Sequence, residues 1–260
     1  MGHIHLGTIP RSRLWQNVFS LLDDGAGTED IANASATAAE KTLLGASGNA
    51  VYIEAVRLLV NIPLAAKQAD FGNALRLIDV QVGSNPSLIE VVSAANRRLE
   101  AVAYGQPGRT DFSDISMRAF SQAIAECIGG DLPGLFGASP EDLRQSFRKF
   151  SRDAGMSEIC RSFFGGIVSS SLSYWLDRIL NDHIGDRKAF MTIADRTAFD
   201  TTLRAYVGES TRIIKEFAAG WVGKMAYQTG EITTPEARIF GHVSLKKVVE
   251  ELRLRRGQDA

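Results

Sequence analysis

The chain has little of the chemistry on which most catalytic and metal sites depend. Its 260 residues include only two cysteines and four histidines. Neither a His-Glu-x-x-His nor a Cys-x-x-Cys motif occurs. Cys127 and Cys160 both lie in apolar helical patterns, where a free cysteine behaves as a small hydrophobic residue. We therefore predict buried, inert thiols, no catalytic constellation and no cofactor.

The chain also lacks an excess of charge of one sign. Its 29 lysines and arginines are balanced by 30 aspartates and glutamates, which gives a formal net charge of -1. A nearly neutral protein has no overall field that draws it to nucleic acid or to an anionic membrane. Such binding would need a local basic patch.

Long hydrophobic runs are missing as well. The most apolar stretch, residues 163–176, is shorter than the roughly 20 residues that cross a bilayer, so it predicts a buried helix and no membrane partner. No basic segment followed by an apolar run opens the chain, as a secretory signal would. We therefore expect a cytoplasmic protein.

What the sequence does contain is helical periodicity. Apolar residues recur at intervals of three and four positions, a pattern typical of amphipathic helices. Hydrophobic residues make up 45% of the chain, enough for a substantial core. We predict an all-α multi-helix bundle of about ten helices with a short extended N-terminal arm. A loop at residues 104–110 predicts an N-terminal helical subdomain, 1–108, and a C-terminal one with long helices, 109–260. One continuous domain is the alternative.

Several local patterns make the helix prediction specific. Ser139-Pro140-Glu141-Asp142 combines a capping serine, a proline at the first helical position and acids in the first turn. Long helices are predicted from about Ser157 to Asn181 and from Ala198 to about Gln228. Small residues at 165–166 would let a neighbouring backbone approach the first of them closely. The segment 45–48, Gly-Ala-Ser-Gly, follows a helix rather than a strand, which indicates a C-cap and not a phosphate-binding loop.

The N-terminal segment is the only part of the chain with strand-like alternation. Alternate residues of an extended segment point the same way, so His3 and His5 could present two imidazoles to one metal ion. A catalytic metal site needs further ligands, and none accompanies them at a recognisable spacing. We favour a partner-binding arm, because Ile4 and Leu6 need an apolar surface to cover. The predicted arm comprises Gly2, His3, Ile4, His5 and Leu6.

Basic residues form a second candidate site. Residues spaced by four lie along one face of a helix, and a basic stripe of this kind can follow a phosphate backbone. The last helix carries further cations, although cations near a helix C-terminus also complement the helix dipole. The candidate nucleic-acid-binding residues are Arg144, Arg148, Lys149, Arg152, Lys246, Lys247 and Arg253.

These observations leave three functional hypotheses. The favoured one is a non-catalytic accessory or scaffold subunit of a multi-protein assembly, which binds a protein partner or a second copy of the chain through helical surfaces and its N-terminal arm. The first alternative is a nucleic-acid-binding subunit that uses the basic helix face from Arg144 to Arg152. The second is a metal-dependent hydrolase centred on His3 and His5.

Overall fold

Helical periodicity and capping residues produce eleven α-helices in the computed structural model of the protein. It describes residues 12–105, 110–133, 138–180 and 192–254, with the backbone alone at 178–180 and 226–229. The helices are α1 (Arg13–Asp23), α2 (Thr28–Ala46), α3 (Ala50–Ala65), α4 (Phe71–Leu77), α5 (Leu88–Tyr104), α6 (Asp111–Ile124), α7 (Pro140–Phe150), α8 (Asp153–Leu180), α9 (Ile193–Ser210), α10 (Arg212–Thr229) and α11 (Thr234–Leu254). A π-helical turn, Ala125–Gly129, extends α6. No strand occurs in these ranges, and the all-α prediction is confirmed.

Two helices organise the packing. The long helix α8 contacts α6, α9 and α10 along its length, and also α2, α7 and α11. The second, α3, is buried on nearly every side and packs against α5, α6, α7 and α11. Helices on both sides of residue 108 therefore share one hydrophobic cluster. The predicted boundary itself falls in residues 106–109, outside the described ranges, and the division into subdomains stays a prediction.

Small residues let α8 approach its neighbours closely, as their pattern predicts. A Cβ atom added to Gly166 would lie 3.4 Å from the Cβ atom of Ala119 in α6. One added to Gly165 would lie 3.3 Å from Cγ2 of Thr211. The small residues of α8 are thus used to contact other helices of the same chain. These glycines hold α8 against α6 and against the junction between α9 and α10.

The prediction of one helix from Ala198 to about Gln228 is wrong. The structure divides this stretch into α9 and α10, which are separated by Thr211. The hydroxyl of Thr211 donates a hydrogen bond to the carbonyl of Gly208 at 2.6 Å, and its backbone N–H bonds the same carbonyl at 3.2 Å. Threonine hydroxyls that bond backbone carbonyls compete with regular helical bonding. Burial of Thr211 against Gly165 fixes the break.

The start of α7 shows how local chemistry determines a helix. The backbone N–H of Asp142 donates to the Ser139 hydroxyl at 3.2 Å, and the N–H of Ser139 donates back to the Asp142 carboxylate at 2.9 Å. This reciprocal capping box satisfies two backbone donors that a helix leaves without partners. Pro140 occupies the first position, where no N–H is needed. The predicted helix start is confirmed.

Aromatic side chains join α8, α10 and α11 in the core. Phe240 of α11 is fully buried, and its ring lies 4.6 Å from Trp221, 5.6 Å from Phe217 and 5.7 Å from Phe164. Ring pairs at these separations stabilise a core beyond the area that they bury. Phe240 is therefore the residue on which three helices converge.

A buried carboxylate joins α3 to α5 and to the end of α4. The Glu54 side chain is 6% exposed and accepts hydrogen bonds from Arg57 at 2.8 Å and Arg98 at 2.7 Å. Asp79 lies 3.7 Å from Arg57 and 3.3 Å from Arg98. It occupies the left-handed region, with a φ of 71°, and its position just after α4 turns the chain back toward α3. The four side chains form one charge-balanced network.

A pair of glycine substitutions tests the contact between α7 and α8. A Cβ atom at Gly155 would lie 2.6 Å from the Cα atom of Phe150 and 2.8 Å from the Lys149 carbonyl. We expect Gly155→Ala to lower the free energy of unfolding by about 1–2 kcal/mol through overpacking. Gly220→Ala is the control, because nothing lies within 4 Å. It should raise that energy by up to about 1 kcal/mol. Urea denaturation measures the free energy of unfolding of both variants. If the two substitutions changed it by the same amount in the same direction, the close contact at Gly155 would be contradicted.

No described helix is by itself both long and apolar enough to cross a membrane. Only α2 and α3 taken together reach the necessary length and composition, and they are bent by 84° at their junction.

Candidate binding groove

A groove of about 700 Å³ runs along α8, between the end of α6 and α9. Most of the residues that line it are polar by type, and they include charges of both signs, among them Glu29 of α2. Several of its residues, among them Glu158, Thr202 and Ala205, are exposed, so the groove is open to solvent. It is lined by Glu29, Gln122, Glu126, Glu158, Arg161, Ser162, Gly165, Gly166, Ser169, Thr202, Arg204, Ala205, Tyr206, Gly208, Glu209 and Thr211.

One wall contains the π-helical turn that follows α6. Within this turn the carboxylate of Glu126 accepts a hydrogen bond from Gln122 at 2.8 Å and another from the Ser162 hydroxyl at 2.9 Å. These bonds tie the turn to α8 and hold the Glu126 side chain in place. Single π-helical turns are rare and occur frequently at functional sites.

The opposite wall is anchored by Tyr206 of α9. Its hydroxyl accepts a hydrogen bond from Nδ2 of Asn33 in α2 at 3.0 Å, and both residues are buried. The tyrosine thereby connects the groove to the core of the protein. Both walls are held by hydrogen bonds between different helices, so the groove is preformed.

Arg161 of α8 is a charged residue of the groove that lacks hydrogen-bond partners in the part of the chain that the structure describes. Its Nε atom is buried and has no hydrogen-bond partner. Within the described ranges no carboxylate lies close enough to form an ion pair with it, although Glu158 is one helical turn away. By contrast, Glu209 on the far wall pairs with Arg212 at 2.6 Å.

The cysteines near the groove are not reactive groups. Both are buried, as predicted. Burial raises the pKa of Cys127 to about 12, and the neighbouring carboxylates of Glu158 and Glu126 add to the effect. Burial also holds the pKa of the Cys160 thiol well above its ordinary value. Because the thiolate is the nucleophilic form of cysteine, neither residue is suited to covalent chemistry at neutral pH.

Within the described ranges, Ser47 and His242 form the one serine–histidine contact that resembles a catalytic pair. Oγ of Ser47 lies 2.8 Å from Nδ1 of His242. The same hydroxyl donates its only proton to the carbonyl of Leu44 at 2.6 Å, so the imidazole must donate to the serine. A histidine that donates its proton does not activate the hydroxyl. Ser47 instead ends α2, which confirms the predicted C-cap.

The predicted N-terminal site lies outside the described residues. The structure therefore says nothing of Gly2, His3, Ile4, His5 or Leu6, and both the arm and the metal hypothesis stay predictions. Among the residues that are described, no group of three histidine, cysteine, aspartate or glutamate side chains could hold a metal ion.

Most of the predicted basic site is engaged inside the protein. Arg144 forms a two-pronged ion pair with Glu141 and also donates to the carbonyls of Ala66 and Gln68. Lys149 pairs with Asp131. Arg148 and Arg152 are exposed, and in the described part of the chain their side chains have no hydrogen-bond partner. The structure thus leaves two of the four cations on this face free.

The cations of α11 are also partnered. Lys246 lies 3.7 Å from Glu250, and Arg253 lies 2.9 Å from Glu40 of α2. Lys247 stands over the ring of Phe217 with its Nζ atom 5.3 Å from the ring centre, a cation–π contact. Arg253 and Lys247 thus contact α2 and α10, whereas Lys246 pairs within α11.

The sequence alone did not identify the groove. Its residues come from α2, α6, α8 and α9, which are far apart in the chain. A signal was available in Glu158 and Arg161, the two charged residues between positions 154 and 176 of α8. No protein-family model, curated protein or solved structure matches this chain, so the proposals that follow depend on the geometry of its described residues.

Proposed function

We propose that the protein is a non-catalytic accessory or scaffold subunit that binds a partner polypeptide in the groove along α8. The observation that carries this proposal is a preformed groove of about 700 Å³ whose charged side chains are incompletely paired. Arg161, Arg204, Glu29 and Glu158 line it without an ion-pair partner in the described ranges. Charges of both signs left free on one surface are available to a binding partner.

The composition of the groove favours a polypeptide over a small molecule. Pockets for small ligands are mostly apolar and enclose most of the ligand surface. This groove is open to solvent, and charged residues of both signs line it. Protein interfaces in general are about as polar as the remaining surface, and charged groups at their rim determine specificity and association rate. A protein segment with side chains of both charges fits such walls.

Site-specific photocross-linking tests the proposal. A photoreactive residue would replace Ala205, which is exposed in the groove, and in a control variant Ser93, which is exposed on α5. We expect position 205 to yield an adduct with one defined polypeptide in an extract of the native host, and position 93 to yield none. The same reaction with purified protein reports whether that polypeptide is a second copy of the chain. Adducts from neither position, or equally from both, would refute the groove as the binding site.

A further inference from the structure

Arg161 differs from the other deeply placed arginines of the protein. Arg57, Arg144 and Arg196 have side chains only 11%, 19% and 11% exposed, and each forms an ion pair with at least one carboxylate. Arg161 has a buried Nε atom and no acceptor on any of its nitrogens in the described ranges. The Nε atom of Arg196 is also buried without a partner, but Arg161 is the one half-buried arginine of the described ranges whose guanidinium has no acceptor at all.

An unpaired guanidinium of this kind is costly. Buried donors without an acceptor destabilise a protein, and charged donors do so more than neutral ones. Water can hydrate the open side of Arg161 in the free protein, but it does not supply the opposite charge. The planar guanidinium matches a carboxylate, which accepts two parallel hydrogen bonds from it. A carboxylate of a bound ligand would supply both the opposite charge and the acceptors that Arg161 lacks.

The remaining charges of the groove restrict what that ligand is. Glu29, Glu126 and Glu158 line the groove around Arg161, together with Glu209, which is already paired with Arg212. A nucleic acid or another polyanion would be repelled by these carboxylates. A purely basic peptide would leave Arg161 without its partner. Only a segment that carries acidic and basic side chains complements Arg161 and the carboxylates of the groove together.

We propose that Arg161 anchors the groove by pairing with an aspartate or glutamate of the partner segment, and that basic residues beside it pair with Glu29 and Glu158. This inference rests on the proposed function of the groove and adds the chemical class of its ligand. It makes Arg161 the specificity-determining residue of the interface.

Two labelled peptides of equal length test the inference. One alternates lysine and glutamate, and in the other each glutamate is replaced by glutamine. We expect fluorescence anisotropy at low salt to show about tenfold tighter binding of the first, as one charge-assisted hydrogen-bond pair allows. Simple attraction to an acidic groove predicts the reverse order, because the glutamine peptide is more positively charged. Equal binding, the reverse order or no measurable binding of the first peptide would overturn the inference.

Variants of the full chain assign the effect to Arg161. Arg161→Met should abolish the preference, whereas Arg148→Met, which removes an exposed cation outside the groove, should preserve it. A thymidine oligonucleotide of similar length is the polyanion probe, and binding that depends on Arg161 would contradict the proposal. If cross-linking at position 205 succeeds while the peptide preference is absent, the groove is the binding site and only the ligand class is wrong.

Thermal unfolding gives an independent readout. Methionine matches the arginine side chain as far as the Nε position and removes the unsatisfied guanidinium. We therefore expect Arg161→Met to leave the melting temperature unchanged or to raise it, as is common where binding residues are optimised at the cost of stability. Arg57→Met is the comparison and should lower it. A clear fall in the Arg161→Met variant would show that the guanidinium has a structural role, which overturns the inference.

Discussion

Replacing Glu54 with alanine should destabilise the protein by about 3 kcal/mol. The substitution leaves Arg57, whose side chain is 11% exposed, without the carboxylate that lies 2.8 Å away. Removing one partner of a buried ion pair costs about 3–5 kcal/mol, because the other charge stays buried and uncompensated. The lower end of this range applies, since Asp79 lies 3.7 Å from Arg57 and can offset part of the loss. Denaturation by urea at neutral pH measures the difference.

The matched control is an ion pair on the surface. Glu40 of α2 pairs with Arg253 of α11, whose side chain is 46% exposed. Exposed pairs contribute about 0–1 kcal/mol, so Glu40→Ala should have a small effect. If the two substitutions had equal effects, Glu54 would not be the buried centre of the network.

The Glu54 network should also make stability depend on pH. Burial by itself raises the pKa of Glu54, but hydrogen bonds from Arg57 and Arg98 outweigh it and hold the pKa below the ordinary value of 4.5. A carboxylate with a lowered pKa stabilises the folded state above the unfolded-state pKa, and this contribution is lost as pH falls through the folded-state pKa. The difference in unfolding free energy between the wild type and Glu54→Gln should therefore be constant near pH 7 and shrink below about pH 4.5. A difference that grows on acidification would reverse the sign and contradict the assignment.

Replacing Phe240 with alanine should have the largest effect of the substitutions considered, about 3–5 kcal/mol. A buried phenylalanine truncated to alanine loses its transfer free energy and leaves a cavity. Phe240 is fully buried against Phe164 of α8 and against Phe217 and Trp221 of α10. Because these helices are packed against other parts of the core, we expect them to fill the cavity only in part. Ile239, the preceding residue, is 57% exposed and provides the control. Ile239→Ala should change stability by less than about 0.5 kcal/mol.

Equilibrium denaturation, with near-ultraviolet circular dichroism as a second probe, distinguishes the outcomes. We expect a lower midpoint for Phe240→Ala and altered signals from Trp221, whose ring is 4.6 Å away. A small effect of Phe240→Ala, or a large one of Ile239→Ala, would mean that α11 presents a different face to the core.

The sequence predicts local structure correctly where the interactions of a few neighbouring residues determine it. The capping box of Ser139 and Asp142 closes on itself within one turn, so its pattern alone predicts the start of α7. The same holds for the burial of Cys160, because a residue in an apolar helical stripe faces the core. Thr211 marks the limit of this kind of reasoning. Its position continues an apolar pattern, and the helix breaks because Thr211 bonds the carbonyl of Gly208 and is buried against Gly165.

The candidate site shows the same limit for charged residues. Arg144 and Arg161 are both arginines on helices, and spacing placed Arg144 in a basic stripe. The structure pairs Arg144 with Glu141 one turn away and with carbonyls of a distant segment, while Arg161 lines the groove without an acceptor. Pairing depends on which side chains meet in space, and the spacing of residues in the chain does not report it.

The amino-acid sequence by itself determined that the protein is all-α, where several of its helices begin, and that its cysteines are buried. These properties follow from periodicity and from hydrogen bonds between residues three or four positions apart. Only the tertiary structure decided that α9 and α10 are separate, which cations are neutralised and where a groove opens along α8. Those properties arise from contacts between segments far apart in the chain, whose energies depend on distance and burial.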